Sequence, residues 1–188
     1  MKIQTVPLHS QEELEAYFLS SIETLPGEPR LLEKSLKTDF GPVALGADGE
    51  GRLCVLLTTL AQDDSALVRI LAIEGWLKRN RQLIERTFED KAVDFEKAFR
   101  LVLAAPGFSG EIEEAVRQIP TGVELVRYRA VSVNRQVGLF LDSLFQEKAS
   151  GPSGENSPPA SKMKPEKAPD VGLTDEENRF FSVGSPPV

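Results

Sequence analysis

The acids, the histidine and the cysteine of this 188-residue chain are the side chains that could do hydrolytic chemistry. A hydrolase that uses Mg²⁺ or Mn²⁺ needs one or two carboxylates converging near a strand end, because hard cations take oxygen ligands. Three acidic groups come into question, and each has a local role. Glu12, Glu13 and Glu15 open a helical pattern in which Ser10 and Glu13 form a capping box, and acids in a first turn favour the helix dipole. Asp63 and Asp64 precede Ser65 at the start of a second helical pattern and read as N-caps. Asp48 and Glu50 are the only acids between Gly41 and Gln62, and both fall in a turn predicted to be exposed. His9 is the single histidine, which excludes a multi-histidine metal site, and no Gly-x-Ser-x-Gly sequence accompanies it. Cys54, the single cysteine, sits inside an apolar run and reads as a small buried hydrophobe.

Two basic groups could meet phosphate. Lys78, Arg79 and Arg81 lie on the second helical pattern, and Arg127 and Arg129 flank Tyr128, with Arg135 nearby. Arginine beside an aromatic ring can hold a phosphate and stack a base. Glu74, Glu85, Glu89 and Asp90 surround the first group, so it reads as a solvated helix face. Arg127 and Arg129 share a strand face and are the better candidates. The charge balance opposes general nucleic-acid affinity: 18 Lys and Arg against 23 Asp and Glu through residue 148, and 4 against 6 beyond it, for a net −7.

Positioning these residues requires a mixed set of elements. The spacing predicts a helix over 11–24 with Leu14, Tyr17, Phe18 and Ile22 on its apolar stripe, stopped by Pro26-Gly27. Strands are predicted over 31–37, 42–47 and 52–60, the last two joined by the glycine-rich turn 48–51. A long helix follows to about residue 88, with Ala66, Ile70, Ile73, Leu77, Ile84 and Phe88 on one arc. Residues 99–105 form a continuous apolar run, as in a strand covered on both faces, followed by a helix over 111–119 and strands over 122–133 and 137–141. The glycine-rich stretch 46–51 has no helix after it and so cannot supply a helix N-terminus for phosphate. The predicted fold class is α/β, a mixed sheet with helices on both faces in the order α-β-β-β-α-β-α-β-β.

This order resembles the restriction-endonuclease-like core of the PD-(D/E)xK nuclease superfamily. The turn Asp48-Gly-Glu-Gly-Arg-Leu53, the helical Trp76-Leu-Lys-Arg-Asn80 and Leu103-Ala-Ala-Pro-Gly-Phe-Ser109 carry the likeness, which spans roughly residues 10–145. The resemblance implies an aspartate at the position of Val43, a Glu-x-Lys at Leu57, Thr58 and Thr59, and a helical glutamine and tyrosine at Arg69 and Ile73. Every one of these catalytic positions is substituted. The resemblance therefore implies a nuclease-like domain without its catalytic motif, with no cofactor and no metal, in a fold where dimerisation is common.

The composition changes after residue 148. Residues 149–172 are rich in Pro, Ser, Gly, Glu and Lys and read as a disordered linker. Residues 173–188 begin with a Thr174/Glu177 capping box and carry Phe180 and Phe181 as candidate partner-docking residues. This segment is compatible with docking on the domain, docking on another chain, or disorder. No run approaches a membrane span, and the lone cysteine suits a reducing compartment, so a cytoplasmic protein is expected. Three functions stay open in the sequence: a non-catalytic module that binds an unidentified protein partner, a nucleic-acid-binding protein without cleavage, and a metal-dependent nuclease whose ligands have moved to Glu13, Asp63 or Asp64.

Overall fold

Ser10 starts the first helix as its spacing to Glu13 predicts. Its Oγ accepts a hydrogen bond from the Glu13 amide at 3.1 Å, and the Glu13 carboxylate reaches back to the His9 amide at 2.9 Å. Helix α1, Gln11–Ser21, buries Leu14 and Phe18 and passes into a 3₁₀ turn, Ile22–Thr24, that buries Ile22. Tyr17 is only half-buried. The computed structural model describes residues 3–134 and 136–144, all within one unit spanning residues 1–149. Arg135, the linker 149–172 and the segment 173–188 with Phe180 and Phe181 lie outside the described residues.

Seven strands are described, in one sheet: β1 (Ile3–Thr5), β2 (Arg30–Thr38), β3 (Gly41–Ala47), β4 (Leu53–Thr58), β5 (Arg100–Ala105), β6 (Val123–Val133) and β7 (Gln136–Ser143). They lie in the order β1-β6-β5-β4-β3-β2, with β7 also paired to β6. The central strands β4, β5 and β6 run parallel, and the outer pairings are antiparallel. Gly46 is required where β3 crosses β2, because a Cβ there would meet the Arg30 carbonyl oxygen at 2.9 Å.

The alternation of each strand splits the core in two. Val43, Leu45, Val55, Leu57, Leu101, Leu103 and Leu125 pack on one face against helices α2 (Ser65–Arg79), α3 (Arg81–Thr87) and α4 (Gly110–Gln118). Ala44, Cys54, Leu56, Val102, Ala104, Val126 and Tyr128 pack on the other against α1. Strand β5 is buried throughout, which is why its sequence is apolar without alternation. The mixed α/β sheet with helices on both faces is thus as expected from the sequence.

Two local features differ from the sequence reading. The strand β1 was not anticipated; three residues pairing with the end of β6 carry too little pattern to be seen alone. The long helix is broken at Asn80, whose amide and side-chain amide both bond the Trp76 carbonyl, at 3.0 and 2.9 Å. That carbonyl is capped twice, and the chain restarts as α3 with Ile84 and then Phe88 still turned into the core.

Candidate functional site

The positions that the nuclease resemblance assigns to metal chemistry come together in space, but as hydrocarbon. Ala44 pairs with Leu56 across β3 and β4, which sets Val43 against Leu57. Both are 3% exposed and belong to the aliphatic cluster that includes Ile70 and Ile73 of α2. Thr59, just past β4, is also buried, and its Oγ1 has no hydrogen-bond partner among the described residues. Its backbone is held firmly: the amide donates to the Ala104 carbonyl at 2.9 Å, and its carbonyl accepts the Tyr128 hydroxyl at 2.9 Å. Arg69, where the resemblance implies a helical glutamine, is half-buried with its Nε unbonded among the described residues, and Ile73 is fully buried. A divalent cation does not fit this donor set, which offers one hydroxyl and no carboxylate. Among the described residues no three His, Cys, Asp or Glu side chains are grouped to hold a metal ion.

Thr58 projects to the opposite face, where α1 covers it. The Gln11 side-chain amide donates to the Thr58 carbonyl at 3.0 Å, to its Oγ1 at 2.8 Å and to Glu15 Oε1 at 2.9 Å. A shallow concavity beside them is lined by Glu15, Lys34, Val43 and Thr58. Sequence reading missed Gln11, because a glutamine in a first helical turn carries no signal of what it will bond across 47 residues.

The acids proposed for a relocated metal site stay apart in role. Glu13 is used in capping, and Glu12 is exposed. At the second helix it is Asp63, not the adjacent Asp64, that caps: Asp63 Oδ1 accepts from the Ser65 amide at 3.0 Å and its hydroxyl at 2.6 Å. These bonds, the Ser65 hydroxyl foremost, hold the Asp63 carboxyl below its usual range. Asp64 makes no capping bond and instead accepts from the Ser109 hydroxyl at 3.1 Å, at the start of α4. His9 is exposed.

The turn acid Asp48 corrects the expectation of an exposed pair. It is 6% exposed, accepting the Glu50 and Arg52 amides at Oδ1 and the Arg52 Nε at 2.8 Å, so its carboxylate builds the turn from inside. Glu50 is exposed. Nearby lies a second polar cluster invisible in the sequence. Arg100 on β5 donates to Glu124 on β6 through Nε at 3.0 Å and Nη2 at 2.6 Å, and through Nη1 to the Pro26 carbonyl. The Ser143 hydroxyl donates to the other Glu124 oxygen at 3.0 Å. Both charged side chains are over nine-tenths buried.

Cys54 is fully buried against this cluster, as its apolar setting suggested. Burial pushes its thiol up to about 11, with Asp48 adding to the rise and Arg100 and Arg52 opposing it. The thiolate is the reactive form. The native protein at pH 8 is therefore expected to react with a soluble disulfide reagent at least about a hundredfold more slowly than the urea-unfolded chain, followed by absorbance. Rapid native labelling would show that the strand opens.

The basic candidates are mostly compensated. Lys78 pairs with Glu74 at 2.6 Å, and Arg81, separated from it by the helix break, pairs with Glu85 and Glu96. Arg79 is exposed. Arg127 and Arg129 share a face of β6, as alternation requires, with Arg127 3.9 Å from Glu113 of α4. Tyr128 is not available for stacking on a base: it points to the α1 side, is 5% exposed, and burial pushes its hydroxyl up to about 12. The aromatic beside Arg129 is Phe140, its cross-strand partner on β7, with the guanidinium carbon 5.9 Å from the ring centre and the ring 56% exposed. The pairing of two residues eleven positions apart could have been found only from the register of the β6–β7 hairpin.

No protein-family model matches the chain, and no curated protein matches it. Two solved structures are similar to it. One is a repair endonuclease from Pyrococcus abyssi, with 14% identity and a TM-score of 0.45, covering 66% of this chain and 49% of that one. The other is EndoMS in its apo form, with 20% identity and a TM-score of 0.43, covering 65% of this chain and 47% of that one. This chain spans about half the length of either.

Proposed function

We propose that this chain is a nuclease-fold domain that works by binding a protein partner and not by cleaving nucleic acid. The observation that supports the reading is the burial of Val43 and Leu57, each 3% exposed, in one aliphatic cluster at the positions that the nuclease resemblance gives to metal ligands. Protein is favoured over nucleic acid because Lys78, Arg81 and Arg127 are each turned toward carboxylates and the chain is acidic overall. A second reading, nucleic-acid binding without cleavage, draws on the exposed Arg129–Phe140 pair.

Titrating the full chain into labelled single-stranded, duplex and forked DNA with Mn²⁺ present, then running the samples on a denaturing gel, separates the readings. Intact DNA and no binding at moderate salt are expected. Salt-sensitive binding abolished by the double change Arg127→Ala, Arg129→Ala would favour the second reading. Mn²⁺-dependent cleavage would refute both.

A further inference from the structure

The two edges of the sheet are built differently. Strand β2 is broken by two register shifts and carries Arg30, Glu33, Lys34 and Lys37, which are devices that keep an edge from pairing with another chain. Strand β7 has no register shift and a single charged residue, Asp142. Its eight residues pair with β6 without a shift, from Val126 opposite Ser143 to Val133 opposite Gln136, and no other described strand pairs with it. Its sequence, Gln-Val-Gly-Leu-Phe-Leu-Asp-Ser, holds one charge and no proline. Phe140 stands at its middle, more than half exposed.

We infer that the outer edge of β7 pairs antiparallel with β7 of a second copy of this chain, about a two-fold axis at Phe140. The strand is self-complementary in that register. Residues directly opposite share a face, so Phe140 meets Phe140, Leu139 meets Leu141 of the second copy, and Gly138 meets Asp142 of the second copy. Apolar side chains oppose apolar ones and no acid opposes an acid. The two rings are then flanked by the two Arg129 guanidinium groups already stacked on them. On the other face Leu139 and Leu141 continue the cluster under α1. Eight residues span about 26 Å, and such a contact is smaller than the roughly 800 Å² per partner of a standard interface, so the dimer dissociates in the micromolar range. Both copies are acidic, and salt screens their repulsion. Self-association therefore tightens with added salt, opposite to the response of DNA binding. The inference does not depend on the loss of the metal site, which the DNA experiment tests separately.

Sedimentation velocity of the full chain over the micromolar range tests it. Gly138 has open space where a Cβ would project, so both a lysine and a glutamate fit there. Gly138→Lys places a lysine opposite Asp142 of the second copy and is expected to tighten the dimer, while Gly138→Glu places acid opposite acid and weakens it. Phe140→Lys sets two ammonium groups together and is expected to raise the dissociation constant about tenfold or more. Circular dichroism checks that each variant is folded. A monomer at every concentration, or a dimer for which lysine and glutamate at 138 act alike, overturns the inference.

Discussion

Changing Val43→Asp, which restores the acid that the nuclease resemblance assigns to this position, is expected to cost about 3–4 kcal/mol of stability and to yield no Mn²⁺-dependent cleavage. Val43 is 3% exposed in a cluster with Leu57, Ile70 and Ile73, beside the concavity that Glu15 and Lys34 also line. A carboxylate there loses most of its water, and the opposite charges of Lys34 and Glu15 beside the concavity offset one another, so desolvation raises its pKa on folding. A raised folded pKa makes the loss depend on pH. Well below the unfolded pKa, at about pH 2–3, folded and unfolded chains are both protonated and the cost is that of a neutral polar group. As pH rises past the unfolded value of about 3.9 the charge must be suppressed in the folded state, and the cost grows to its plateau. Urea denaturation of Val43→Asp at pH 5 and pH 8 should show the penalty increasing with pH, whereas Val43→Asn should lose a similar amount at both. A loss under about 1 kcal/mol at pH 8 would mean that water reaches the site, and the burial of Val43 could no longer support a non-catalytic domain.

The second large effect lies at the other end of the parallel strands. Glu124→Ala leaves the Arg100 guanidinium buried without its carboxylate, and is expected to cost about 3–5 kcal/mol. The double change Arg100→Met, Glu124→Leu should recover most of that loss, because desolvating two charges offsets much of their attraction. A double-mutant cycle by urea denaturation reads both numbers. Independent, additive losses would show that the two residues do not act as a pair. The Ser143 hydroxyl, which bonds the free Glu124 oxygen, ties β7 into the same network. The strand edge inferred to pair with a second copy is thus fastened at its end by a buried charge.

The local signals in the sequence reached far. The Ser10–Glu13 capping box, the glycine-bearing turn at 48–51 and the unbroken apolar run of β5 each follow from interactions within a few residues, so they survive in any context the chain finds. The same holds for Val43, Leu57 and Thr59. Their identities remove the carboxylates and the lysine whatever the packing around them. Side-chain detail was misread even where the partners lie close in sequence. Asp48 was placed in an exposed turn, but its carboxylate is folded under that turn by Arg52 and two amides. Asp64 was given a cap that Asp63 makes. Tyr128 was paired with its sequence neighbours as a stacking ring, although strand alternation sends it to the opposite face.

By itself the sequence determined the order of most elements, the alternation that sorts each strand into two faces, and the side chains that stand at Val43, Leu57 and Thr59, since these are properties of residue type and short spacing. Tertiary structure alone decided what those residues touch. It set Val43 against Leu57 in a buried cluster, joined Arg100 to Glu124 across 24 positions, and laid Phe140 beside Arg129 on a strand that pairs with β6 alone among the described strands. The reason is physical: register between strands and contacts between layers come from closing long loops of chain, where the energy depends on geometry that no local run of residues encodes.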